Sequence, residues 1–539
     1  MAVELYIVAA ILIGGAALAK IAEQYKFPYP IFLIVAGLAL GTVIEGEDLL
    51  AGLGIDFIAQ LTLTTVLFYA GLTMNLKELR LSVKSIALLA TIGVLLTSLI
   101  AGVTIALFSA TIGIGAALLI GAILSPTDPA ALFSVLESGG VRVKRKLVSI
   151  LEGEAVFNDA TAIILVSTVF LAQVVPDLQN EWYIIAFQFT LSMGLGLAIG
   201  LGVAFIMGTI LLSPVGDTNV SVLTATTPIL AYGIGEIFAG AGVHPGALAA
   251  VFAGIFMANS KMLGLESLPQ KSMRGVMKNV SFAFEIAVFI LLGLMLDVEF
   301  LMLNLDLAVI GFVIAILVIF VARPASVFIV TSADRTMDWK ERFFVSWAGV
   351  KGVATAALAA IAVATITSAT GPSSDGVDFA LLGQQINVII FIVLMVSLIL
   401  QGLTTPFLAT RLKLIDEHDS ATEITIQRNA TRHALLHLVD QYTEGKVGSD
   451  LYTRLKKELE EEIFTLEDEL RKIVTEKKAR IQELNIRESI LLNKLAFYET
   501  EYESGKLTDS GYEEQKQEIE TEIEEISSNK RVIQKGKET

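Results

Sequence analysis

The 539-residue chain contains no cysteine. Disulfides, thiolate metal sites and cysteine nucleophiles are therefore excluded. Histidine is nearly absent too, with four residues in all. Only His244 precedes residue 411, so the first three quarters of the chain offer a single histidine and no histidine metal cluster. Charge is scarce: 17% of residues are charged, against about 25% in soluble domains. Net charge is −16 and no basic face is evident, which excludes a nucleic-acid-binding surface.

What is abundant is apolar sequence, at 54% of residues and a mean hydropathy of +0.69. The averages conceal a division. Positions 1–410 hold 44 charged residues, about 11%, and positions 411–539 hold 50, about 39%. The first region is built for lipid and the second for water. At the N-terminus, Val3–Lys20 has the apolarity of a signal peptide but follows Glu4 and lacks a basic flank. It reads as a first membrane helix.

A helix crosses a bilayer with about 20 apolar residues. Thirteen segments meet that requirement: 3–20, 28–44, 55–74, 85–108, 111–136, 147–173, 183–213, 218–240, 242–259, 277–297, 302–331, 343–368 and 383–410. With the N-terminus outside, 16 of the 18 Lys and Arg before residue 411 fall at cytoplasmic ends or loops. Among them are Lys77, Arg80, Lys84, Arg142, Lys144, Arg145, Lys146, Lys261, Arg335, Lys340 and Arg342, whereas the outer loops are acidic at Glu45–Asp48 and Asp297–Glu299. That asymmetry predicts thirteen crossings, N-terminus out and C-terminus in the cytoplasm.

Charge at membrane depth costs about 2.5–3.5 kcal/mol on insertion scales and usually marks function. The fifth segment contains Ser125-Pro126-Thr127-Asp128-Pro129. Two prolines remove backbone donors beside an acid, so the helix is expected to break and free carbonyls there. The sixth contains Glu152-Gly153-Glu154-Ala155-Val156-Phe157-Asn158-Asp159. Asp159 lies about midway along it, as suits a group that alternately holds a proton and a cation. Glu154 reads as structural, neutralising Arg323 or Lys351. The twelfth contains Gly349-Val350-Lys351-Gly352, two glycines around a cation, and predicts a second break. Lys351 would offset helix-end dipoles and buried acids there. Segments 5 and 12 are seven apart, and an odd shift inverts direction, so segments 1–6 and 8–13 are expected to form inverted-topology repeats, the pattern of a secondary transporter. Arg323-Pro324 admits either snorkelling to the interface or a buried pair with Glu154, and His244-Pro245 reads as structural.

These residues carry a likeness. Glu152-Gly153-Glu154 with Phe157-Asn158-Asp159, the Ser125–Pro129 run and Gly349–Gly352 together resemble the sodium/proton exchanger family, in its electroneutral cation:proton antiporter branch. Pro28–Gly41, Phe68–Leu72, Gly246–Gly254 and Leu291–Leu296 add to it. The resemblance implies an all-α membrane protein whose broken fifth and twelfth helices cross near the site, and a homodimer with a mobile core and a static interface domain. It implies that Asp159 carries proton or cation in competition, that Asp128 and Thr127 line the site, that Asn158 orients it, and that Glu154 pairs with Arg323. Substrates would be a monovalent cation, Na+ or alternatively K+ or Li+, and protons; no cofactor is called for, and the setting is a cell membrane with a role in pH homeostasis. Some members have a serine at the position of Ala155 and a carboxylate near Tyr69–Thr73; this chain has neither, which leaves sodium against potassium open.

Residues 1–411 are thus expected to form the transport domain and 412–539 an acidic, cytoplasmic, helical-hairpin domain with a regulatory role. The tail repeats at an interval of sixty residues: Tyr442–Val447 returns as Tyr502–Leu507, each followed by a second tyrosine, Tyr452 or Tyr512. A glycine turn within helical sequence predicts stacked hairpins. No Gly-rich nucleotide fingerprint occurs in it, and His433 and His437, one turn apart, read as ordinary surface residues. Rival readings are a cation channel, for which no filter repeat is present, and a membrane enzyme, for which no nucleophile–base pair exists.

Overall fold

A computed structural model describes residues 2–25, 27–43, 54–76, 82–108, 112–138, 141, 143–170, 182–212, 217–265, 268–332, 334, 336–368, 378–415, 417–443, 446, 448–473, 476–503, 508, 511–513, 515–523 and 526. The acidic loop Glu45–Asp48, the basic residues Lys77, Arg80, Arg142 and Arg335, and most of both tail turns lie outside them. The chain divides into two compact units, Met1–Ile415 and Asp416–Thr539.

The first unit is helical, and no strand occurs among the described residues beyond a single bridge between Val143 and Ile415. In order come α1 (Ala2–Gln24), α2 (Tyr29–Val43), α3 (Ile55–Thr73), α4 (Val83–Phe108), α5 (Ile114–Ile123), α6 (Pro129–Ser138), α7 (Arg145–Ile164) and α8 (Trp182–Leu212). There follow α9 (Asp217–Glu236), α10 (Gly246–Ala258), α11 (Gln270–Leu294), α12 (Val298–Leu303), α13 (Leu305–Thr331), α14 (Trp339–Trp347), α15 (Val353–Ser368) and α16 (Phe379–Arg411). Among the described residues six helices, namely α3, α4, α8, α11, α13 and α16, are long and apolar enough to cross a membrane by themselves.

Local chemistry explains where the helices stop. α5 ends at Ile123 because Pro126 and Pro129 offer no N–H to the preceding turn. α6 then starts on Pro129, the first helical position, where a missing donor costs little. α14 begins with a capping box: Asp338 accepts from the Glu341 N–H, and the Glu341 side chain reaches back to the Asp338 N–H. Within α13 the turn widens to a π-helix at Val318–Ala322, directly before Arg323-Pro324. Pro324 cannot supply the bond that would hold the regular turn there.

Helices pack closely where side chains vanish. A Cβ on Gly37 of α2 would overlap the Ile290 carbonyl of α11, and one on Gly293 of α11 would overlap the Ile34 carbonyl of α2. Such reciprocal contact lets two membrane helices gain dispersion energy along their backbones. At one end of the bundle a polar clamp ties α7 to α14. Lys146 lies 2.9 Å from Glu341, and Asp334 accepts hydrogen bonds from Ser85 and Thr336. Burial alone would raise the Asp334 carboxyl, but the bonds from Ser85 and Thr336 and the charge of Lys146 carry it below the ordinary value. His244 pairs with Glu236 at 3.1 Å, at the junction of α9 and α10.

The second unit contains α17 (Glu417–Thr443), α18 (Ser449–Ile473) and α19 (Glu476–Glu503). The sixty-residue repeat is structural. Tyr442 stacks on Tyr452 with ring centroids 4.2 Å apart, and Tyr502 on Tyr512 at 4.6 Å. Lys456 and Lys516 sit over the second ring of each pair, at 5.9 and 5.8 Å. Arg432 meets Glu467 at 2.8 Å across α17 and α18.

Candidate functional site

The two interruptions meet. The Asp128 N–H, between α5 and α6, donates to the Val350 carbonyl, between α14 and α15, at 2.7 Å. In return the Val353 N–H, at the start of α15, donates to Asp128 Oδ2 at 3.3 Å. The carboxylate thus caps a helix N-terminus, where the dipole favours negative charge. The opposite charge sits at the opposite kind of end: Lys351 Nζ donates to the Pro126 carbonyl, just past α5, at 3.1 Å.

The second interruption is anchored from α16. The Lys351 N–H donates to Ser397 Oγ at 2.9 Å, Ser397 Oγ donates to Gln401 Oε1 at 2.6 Å, and Gln401 Nε2 donates to the Trp347 carbonyl at 2.7 Å. Its glycines are there for space. A Cβ on Gly352 would overlap the Asp128 carboxylate, and one on Gly349 would lie 2.7 Å from Arg323 Nε.

α7 supplies the remaining polar groups on successive turns. Asn158 Nδ2 donates to Thr127 Oγ1 at 2.8 Å, fixing the amide against the break. The next residue, Asp159, experiences the charges of Asp128, Lys351 and Glu154. Asn158 Oδ1 and Asp159 Oδ1 are buried with no hydrogen-bond partner among the described residues. One turn earlier Glu154 meets Arg323, with Oε1 2.5 Å from Nη1. This is a contact ion pair: Nε and Nη2 of Arg323 make no hydrogen bond among the described residues. Glu154 is fully sealed, whereas Asp159 keeps 9% of its surface exposed.

Every site residue anticipated from the sequence therefore lies in one neighbourhood. Thr127, Asp128, Asn158 and Asp159 gather at the breaks, Glu154 pairs with Arg323 rather than Lys351, and Lys351 lies against the end of α5. Oxygens from two carboxylates, a hydroxyl and an amide are the donor set of a hard cation, in a place where bare charge is expensive. No group of three or more His, Cys, Asp or Glu forms a metal cluster among the described residues. One membrane acid escaped the sequence reading: Glu285 of α11, which accepts a hydrogen bond from the Tyr29 hydroxyl at 2.6 Å. Its signal was available, as a lone carboxylate in the apolar run 281–294.

Residues 8–411 match the family model described as "Sodium/hydrogen exchanger, transmembrane". Among curated relatives, the Na(+)/H(+) antiporter ApNhaP of Aphanothece halophytica is 26% identical over 81% of this chain and 80% of its own length. The K(+)/H(+) antiporter NhaP2 of Shewanella sp. (strain ANA-3) is 30% identical over 69% of this chain; the match spans 61% of that protein. Among solved structures, the sodium proton antiporter MjNhaP1 of Methanocaldococcus jannaschii superposes with a TM-score of 0.66 at 23% identity, over 74% of this chain and 98% of its own. That likeness is one of fold.

Proposed function

Because the chain belongs to the sodium/hydrogen exchanger family, we propose that it is an electroneutral secondary transporter that exchanges Na+ for H+ by alternating access. One observation carries the reading. Asp159 Oδ1, buried and without a hydrogen-bond partner among the described residues, stands beside Asn158 in a site that also holds Asp128 and Thr127. Asp159 takes either a proton or the cation; Asp128, Thr127 and Asn158 supply further oxygens, and Asn158 is oriented by its bond to Thr127.

Charge balance supports a one-for-one exchange. The buried cluster comprises three acids, Asp128, Glu154 and Asp159, and two bases, Arg323 and Lys351. With all five ionised it carries one net negative charge. A single proton or a single monovalent cation on Asp159 neutralises it, and a neutral cluster crosses the hydrocarbon at least cost. The ion-pair partners Glu154 and Arg323 stay fixed throughout.

The architecture that accompanies this reading is thirteen crossings, N-terminus outside and C-terminus in the cytoplasm, with segments 1–6 repeated inverted in segments 8–13. The basic residues on one side and the two breaks seven segments apart support it. Residues 1–411 form the transport domain of a homodimer, and residues 412–539 a cytoplasmic regulatory domain. A second reading, K+/H+ exchange, is favoured by the likeness to NhaP2. Adding NaCl, KCl or LiCl separately to proteoliposomes holding an acid interior decides between them. Proton efflux on sodium addition alone supports the first reading, efflux on potassium alone the second, and efflux with none contradicts both.

The close approach of the breaks has its own consequence. Gly352→Ala puts a methyl group into the Asp128 carboxylate. The acid must turn away from the α15 N-terminus, and exchange is expected to fall by about tenfold, roughly 1.4 kcal/mol, while the helical content by circular dichroism stays unchanged. A wild-type rate would show that Asp128 can leave its position without loss.

A further inference from the structure

Glu285 is a membrane-embedded acid that the proposed exchange leaves without a role. It sits at a boundary on α11. Residues 282–285 are partly exposed, whereas every residue from Val288 to Leu294 is buried. The side chain therefore stands next to the stretch where the helix is enclosed. Tyr29, the first residue of α2, fixes it with a 2.6 Å hydrogen bond from its hydroxyl.

Polar side chains from α3 and from α11 itself stand near the pair. Tyr69 from α3 lies within the electrostatic reach of both Glu285 and Arg274, and Arg274 is anchored on α3 by donating from Nε to the Leu72 carbonyl at 3.1 Å. Arg274, Lys278 and Glu285 recur at helical spacing along one side of α11. The charge of Asp128 acts on both Tyr29 and Glu285, and it also acts on Asp159. Asp128 is thus the link between the Tyr29–Glu285 pair and the carrier acid. Glu285 and Asp128 are partly exposed, whereas Asp159 is buried.

A purely structural carboxylate would be sealed and paired with a base, as Glu154 is with Arg323. Glu285 is partly exposed, and among the described residues no base pairs with it: its fixed partner is a neutral phenol, which orients the carboxylate without cancelling its charge. A negative charge so placed raises the local concentration of cations around it. We propose that Glu285, oriented by Tyr29, is the carboxylate that receives the cation ahead of Asp128 and Asp159 and so sets the apparent affinity of exchange. This rests on the antiporter reading above, with Asp159 as carrier. Glu285 is a cation-binding residue on the approach; the competition between proton and cation still takes place at Asp159.

The test is initial exchange rate against cation concentration in proteoliposomes, with sodium and potassium in parallel series. Wild type, Glu285→Gln, Glu285→Asp and Tyr29→Phe are compared, and Asp159→Asn is the inactive control. Loss of the charge is expected to raise KM by about fivefold or more with kcat held within about twofold, because the approach is impaired and the carrier is not. Glu285→Asp should recover most of the affinity, and Tyr29→Phe should raise KM by a smaller factor. High ionic strength should shrink the difference between wild type and Glu285→Gln. A wild-type KM in Glu285→Gln overturns the proposal, as does a fall in kcat alone. Should Glu285→Gln fail to fold, Tyr29→Phe and Glu285→Asp decide: wild-type KM in both overturns it. Absence of exchange in the wild type with every cation would instead sink the antiporter reading, whereas a working wild type with an indifferent Glu285 sinks this inference alone.

Discussion

Replacing Asp159 by asparagine is expected to stop exchange, lowering the initial rate by at least about a hundredfold, roughly 2.7 kcal/mol of barrier. The amide matches the carboxylate in shape but holds neither a proton nor a compensating charge for a cation. The protein should nevertheless fold, because no ion pair reaches Asp159 among the described residues and only one of its neighbours, Asn158, is tied to the break. Replacement also lifts the net negative charge of the five-residue cluster, so melting temperature should hold or rise. Cation-dependent proton flux in proteoliposomes and melting in detergent separate the two effects. Exchange at the wild-type rate would remove Asp159 from the carrier role.

The second large effect falls on stability. Glu154→Gln leaves the Arg323 guanidinium buried without its counter-charge, and breaking a buried pair from one side costs about 3–5 kcal/mol. The pair is fully enclosed, with Glu154 at 0% and Arg323 at 2% exposure, so water offers no screening. The loss should therefore appear as a lower melting temperature. Cation affinity should change less, because Glu154 does not open to the site. In the double variant Glu154→Gln, Arg323→Gln, part of the loss should return, since the uncompensated charge is gone. Additive losses would show that the two residues are not partners, and Lys351, which also feels the charge of Glu154, would take the place of Arg323.

Much of the site was legible because the bilayer makes polar residues conspicuous. Asp128 between two prolines, Asp159 in mid-helix and Lys351 between two glycines each contradict an apolar run, and the structure gathers all three at the meeting of the breaks. The bonds that hold them there were not legible. Nothing local in the sequence pairs the Asp128 N–H with the Val350 carbonyl or sets Ser397 and Gln401 against the second break, because these contacts join residues 46 to 222 positions apart. The widened turn before Pro324 follows from proline chemistry but was hidden inside a continuous apolar run. Glu285 was missed for a different reason. Its segment was read for its length and hydrophobicity, and a single acid in it did not disturb either. In the tail, the sixty-residue repeat gave the paired tyrosine stacks their positions, while the lysines placed over the rings became apparent only in three dimensions.

The central claim is that one carboxylate serves proton and cation in turn. It is tested most directly by measuring the exchange rate against cation concentration at a series of pH values in wild-type proteoliposomes. Competition for Asp159 predicts that, on the acidic side of its titration, the apparent KM rises about tenfold for each unit fall in pH while the maximal rate is unchanged. A KM that is independent of pH, with a maximal rate that falls instead, would mean that proton and cation occupy separate groups, and would contradict the account.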